Sequence, residues 1–209
     1  MTSLKQYRLA LQIFQSNRLR RDYRDLSEIP EYNLLGEFFF NEMYGPRDFS
    51  ARDSGARRLN TFLHLVPGVH LDDVMQVLKL LDLTNTLDQR MAMLLMDRQA
   101  GLGFTEDIYD ECYRELNNYD ERLEQLHLID GSIRNVFRLS RYAVIGTALS
   151  SVRMVAKVSG LDAIYQFLVK GYYALRGVRD IEPFATAIQS RELVRLNRVY
   201  GIGLDEETE

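Results

Sequence analysis

One cysteine, three histidines, four prolines and no tryptophan stand among 209 residues, and each shortage excludes something. With Cys112 alone, no disulfide can close within the chain, which suits a reducing compartment. His64, His70 and His127 are too few and too scattered for a structural zinc site. Pro30, Pro46, Pro67 and Pro183 all fall at expected helix starts or loops. An interior proline costs about 3 kcal/mol, so their scarcity favours long helices. No run approaches the roughly 20 apolar residues that span a membrane. The N-terminus lacks the continuous apolar core and small-residue cleavage site of a secretory signal, so a cytoplasmic location is expected. No segment alternates with period two, so no sheet is expected.

What remains is helical periodicity over nearly the whole chain. Leu4, Tyr7, Leu11 and Phe14 make one stripe, opened near Ser3 and closed by Asp22. A second helix is expected from Pro30 to Met43, ended by Tyr44-Gly45-Pro46 with Gly45 in a left-handed cap. A third follows Ser50 and stops before Pro67-Gly68. Leu71 to Arg98 reads as helical with a break at Leu83-Thr84-Asn85. Thr105 caps what reads as the longest helix, continuous from Ile108 past Phe137 with a bend at Gly131. Residues 143–158 are small and apolar nearly all round, which predicts a central helix. Helices over 161–176 and 181–200 complete the set, the last ended by Gly201. The expected fold is all-α: one multi-helix bundle of about seven to nine helices over 1–203, then a flexible acidic tail over 204–209.

Charge is segregated. Residues 71–130 hold 14 acids and 5 bases, and residues 131–200 hold 11 bases and 4 acids. The two blocks either dock on each other or leave a basic face for an anionic partner. The overall charge of −4 speaks against nucleic acid.

Three constellations are candidates for chemistry. The first is Tyr44-Gly45-Pro46-Arg47-Asp48-Phe49 with Arg52 and Asp53. Arginines on a loop held by rigid helices can fork around a carboxylate or phosphate. The same residues can equally cap a helix–helix corner. The second is Arg191-Glu192. Glu192 falls on the apolar stripe of Ile188 and Leu196, so it is either a general acid or base with a raised pKa or half of a buried pair, with Arg114 or Arg122 as partner. The third is the long helix, where Glu124 and His127 have the spacing of a di-metal helix only once, so no metal is expected. Cys112 sits on an apolar stripe and reads as core. Tyr165, Phe167, Tyr172 and Tyr173 line either a pocket or plain core. No phosphate loop or dinucleotide fingerprint is present, so no cofactor is expected.

The stretch Phe38 to Asp53, FFFNEMYGPRDFSARD, resembles a family of uncharacterised bacterial all-helical proteins marked by a phrase like FFLEELYGPRDF. Phe40 and Met43 stand where leucines are usual. The resemblance extends through Gln15-x-x-Arg18-Leu19, Tyr23-x-Asp25-Leu26, Tyr113-Arg114, Arg122, Gln125, Phe167-Leu168, Gly171 and Arg191-Glu192. It implies a single helical unit and no particular activity. The expected function is a non-enzymatic binding or adaptor protein that uses a helical groove or the 44–53 loop. It would hold a protein partner, a second copy of itself or an apolar acid. An enzyme acting on a small or lipid-like acidic substrate is the alternative.

Overall fold

The computed structural model describes residues 2–63 and 72–203. Among these residues there are ten α-helices and one π-turn, and no strand. Helix α1 spans Leu4–Asp22, α2 Arg24–Ser27 and α3 Asn33–Phe38, which runs into the π-turn Phe39–Met43. Next come α4 (Ser50–Leu63), α5 (Asp72–Asp97), α6 (Glu106–Glu115) and α7 (Tyr119–Ser140). The chain continues with α8 (Ala143–Val158), α9 (Asp162–Arg176) and α10 (Glu182–Tyr200). Pro67-Gly68, His64, His70 and the acidic tail lie outside the described residues.

Local signals set most boundaries. Ser3 opens α1 with a reciprocal capping box: its hydroxyl accepts from the Gln6 amide while Gln6 Oε1 accepts from the Ser3 amide at 2.8 Å. Thr105 caps α6. Gly201 closes α10 in the left-handed conformation, at φ 69°.

Five expectations are corrected. Ten helices stand among the described residues, not seven to nine, because the one-turn α2 precedes α3 and the expected long helix divides into α6 and α7. The long helix breaks at Leu116-Asn117-Asn118, where Asn117 adopts φ 46°. Asparagine tolerates that conformation, and the Tyr200 hydroxyl accepts from the Asn118 amide at 3.2 Å while donating to the Tyr113 carbonyl. Conversely, α5 runs unbroken through Thr84, whose hydroxyl is drawn inward to accept from Gln125 Nε2 rather than cap a new helix. Gly45 has no positive φ; it is needed because Asn41 backbone crowds the place where a side chain would stand. Finally, the central helix is α7, not α8. Helix α7 packs against α5, α9 and α10, while α8 lies on α9 and the end of α7 with most of its surface in solvent. The short side chains of α8 have little area to bury, so it contributes little to a core already filled by larger residues elsewhere.

The main core joins Leu35, Leu81, Ile129, Ile164, Val178 and Phe184 from α3, α5, α7, α9 and the α9–α10 region. A second cluster binds the first half of α1 to the end of α5 and to α6 through Leu11, Met91, Leu95 and Cys112. Between them runs a polar seam, which holds the buried Arg122.

Candidate functional site

The seam is built where α1, α6, α7 and α10 meet. Arg18 of α1 grips Glu192 of α10 with both arms, Nη1 to Oε1 at 2.8 Å and Nη2 to Oε2 at 3.0 Å. The Tyr23 hydroxyl donates to the same Oε1 at 2.8 Å. Burial works against the Glu192 charge, but the Arg18 guanidinium and these hydrogen bonds outweigh it and hold the carboxyl below its ordinary range. Glu192 is therefore ionised and clamped. Its partner is Arg18, not the expected Arg114 or Arg122.

One turn on, Arg195 donates to Asp110 at 2.6 Å and reaches Glu106 at 3.5 Å. Arg191 forks onto Asp25 at 2.8 and 2.6 Å and ties the Asp22 carbonyl, closing the outer rim. Together with Arg21 and Arg198 these side chains line an open groove between α1, α6 and α10.

Behind the Arg18–Glu192 clamp is a small cavity of about 20 Å³, lined in part by Tyr109, Tyr113, Arg122 and Arg195. Arg122 reaches it from the first turn of α7 and is only 3% exposed. Its Nη1 donates to Gln125 Oε1 at 3.2 Å, and its guanidinium lies over the Tyr113 ring at 4.4 Å. Gln125 in turn donates to Thr84. On the far side, Asp88 accepts from Gln15 Nε2 at 2.9 Å, and burial pushes its carboxyl pKa up. Burial likewise raises the Tyr44 phenol, which feels the charges of Asp88, Glu192, Arg18 and Arg122.

Of the sequence candidates, Tyr44, Arg122 and Glu192 thus share the buried seam. The rest of the 44–53 loop is elsewhere and is engaged structurally. Arg52 is buried against Asp53 and donates to the Glu42 carbonyl at 2.6 Å, under the rings of Phe49 and Phe167. Arg47 pairs with Glu42 on the surface, and Asp48 caps α4 through the Ser50 amide. Arg114 is exposed and reaches only the Val199 carbonyl, at 3.5 Å. Glu124 pairs with Lys79 at 2.6 Å, and among the described residues no three His, Cys, Asp or Glu gather as a metal-binding group.

Arg18 and Tyr23 entered the sequence reading only through the family resemblance, not as site candidates, and Arg195 did not enter it. A signal for Arg18 existed: it extends the stripe Leu11–Phe14 by one turn, just as Glu192 interrupts that of α10. Two opposite charges on two apolar stripes are natural partners. The charge blocks dock only in part. Arg195–Asp110, Arg195–Glu106 and Arg134–Asp130 join them, but Arg191 and Lys170 find acids outside the expected pairing, Glu192 takes Arg18, and Arg98 serves Glu111 and Glu115 within the acidic block.

A different surface comes from α8. Val158 is 79% exposed, Val144 and Met154 68% and Val155 61%. At 100° per residue these side chains share one side with Ser151, facing away from buried Ala156. The helix is seated by Gly146, against which the Tyr172 hydroxyl lies so closely that a Cβ would stand 2.8 Å from it.

Residues 1–203 match the family described as "Domain of unknown function (DUF8198)". The chain belongs to this family. No curated protein and no solved structure matches it. The DUF8198 match spans α1 to α10, so it includes both the polar seam and the α8 face. No helix among the described residues is long and apolar enough to cross a membrane.

Proposed function

We propose that this DUF8198 protein is a non-enzymatic binding protein whose contact surface is the outward face of α8, and that its partner is another protein presenting an amphipathic helix with acidic flanks. The observation that carries the reading is the exposure of Val144, Met154, Val155 and Val158 on one side of a helix of 16 residues, about 24 Å long. Several large apolar side chains exposed together on one helix face are a usual mark of a contact site. Charge chooses between occupants. Residues 131–161 contain five bases and no acid, so a second copy would bring like charges together while an acidic helix would complement them.

Binding is preferred to catalysis because the titratable groups of the seam are committed elsewhere. Glu192 is held ionised by Arg18 and Tyr23, and the Cys112 thiol is sealed in the second core cluster with its pKa raised by burial.

The test places a photo-crosslinking residue at Val155 and, as a control, at exposed Asp107, in the full-length protein expressed in its native host. The expected product, specific to position 155, is a crosslink to an acidic amphipathic segment of one protein. Val155→Asp should then weaken the purified pair at least tenfold with the helical circular dichroism unchanged. Crosslinks to another copy of the chain, to lipid, or equally from both positions would overturn the proposal.

A further inference from the structure

The ion pairs of the polar seam leave one charge unanswered. Glu192 takes Arg18, and Asp110 takes Arg195, but none of the ion pairs among the described residues includes Arg122. An arginine cannot shed its proton in a protein, so this is a permanent positive charge at 3% exposure. Gln125 and the Tyr113 ring are neutral neighbours. Asp88 acts on Arg122 through space but forms no ion pair with it, and one of its oxygens already accepts from Gln15.

The hydrogen-bond count points the same way. Arg122 Nε and Nη2, Arg18 Nε and Arg195 Nε are all buried without a partner in the protein. These three arginines line the same cavity. Buried charged donors left unmet cost several kcal/mol, so they call for an acceptor, and a negative one. Glu192 cannot serve them all, since both its oxygens are already engaged by Arg18 and one of them by Tyr23 as well. Size narrows the choice. About 10–15 Å³ holds one water-sized species, and the cavity offers about 20 Å³. That room, which Glu192 also lines, suits a monoatomic anion better than phosphate, sulfate or the carboxylate of a larger molecule.

We propose that this cavity is a site for one small inorganic anion of the halide class, chloride under cellular conditions, bound by the free guanidinium N–H groups of Arg122 together with those of Arg18 and Arg195. The anion neutralises Arg122 and joins α1, α7 and α10 at one point, so it acts as an internal strut. This site is separate from the α8 face, and the two stand or fall independently.

Two measurements on the full-length protein test it. Thermal melts are recorded with sodium chloride or bromide replacing sodium gluconate at fixed ionic strength. A ligand of the native state raises the melting temperature with concentration, here by several degrees and with saturation. Crystals grown in bromide should show an anomalous peak within hydrogen-bonding distance of Arg122. Arg122→Met, checked by circular dichroism, should lose the halide dependence; if that variant does not fold, the bromide peak in the unaltered protein decides alone. Equal melts in halide and gluconate, the same rise with sulfate or acetate, or no bromide peak in the cavity would each overturn the proposal and leave the site to water.

Discussion

The Arg18–Glu192 clamp allows a quantitative forecast. Glu192→Gln keeps the shape of the side chain and its ability to accept one hydrogen bond, but removes the charge. Arg18, 11% exposed at its side chain, would keep only Asp22 at 3.3 Å as counter-ion. Breaking one partner of a buried pair costs about 3–5 kcal/mol, because the other charge is left uncompensated. Asp22 and the partial exposure of Glu192, 16% at its side chain, place the expected loss near the lower figure, about 3 kcal/mol. For a chain of this size that is a fall in melting temperature of roughly 6–12 °C. Replacing both partners, Arg18→Met with Glu192→Leu, should recover much of the loss, since no charge is then orphaned. Urea unfolding of the parent, Arg18→Met, Glu192→Leu and the double variant gives the coupling energy directly. The pH dependence carries a sign. The folded pKa of Glu192 lies below its unfolded value of about 4.3, so its contribution is complete above that pH and is lost as pH falls through the folded value. Glu192→Gln should remove this part of the acid limb. A coupling energy near zero, or a glutamine variant within about 0.5 kcal/mol of the parent, would refute the reasoning.

Asp88 should behave in the opposite sense. Burial raises its pKa against the opposing pull of Gln15, Arg122, Arg8 and Arg52, so its charge costs stability once pH exceeds its unfolded value of about 3.9. Asp88→Asn is expected to raise stability at neutral pH in urea unfolding, and a loss of stability would contradict the assigned direction. Gly55→Ala should destabilise by about 1–3 kcal/mol, since a Cβ there would stand 2.9 Å from Ile164 Cγ2 where α4 meets α9. An unchanged melting temperature would mean that the two helices separate easily. Cys112, fully buried with a raised pKa, should react with a thiol reagent only as fast as the protein opens. Labelling that is rapid in buffer and insensitive to urea would place it at the surface.

Much of the helical framework was legible in the order of residues. Ser3 and Thr105 mark helix starts, Gly201 marks a stop, and stripes at 3–4 spacing mark the faces of α1, α7 and α10, because caps and periodicity are local properties. Glu192 was also legible as a charge on an apolar face. Its partner was not, since Arg18 lies 174 residues away and the choice among arginines depends on how α1 crosses α10. Asn117 and Thr84 show the same limit. Either position can break or continue a helix, and Tyr200 and Gln125, both distant in sequence, decide which.

The clearest division is between α7 and α8. Sequence alone determined that 143–158 would be a helix of small apolar residues, and that a helical stripe would run through Leu123, Leu126, Ile133 and Phe137. Only the tertiary structure decided which of them occupies the centre. The larger side chains of α7 bury more surface and enclose the polar seam, while small side chains set all round α8 leave it on the outside with its valines facing solvent. Hydrophobicity measures what a segment gains by burial; competition among all ten helices for one interior settles which segment receives it.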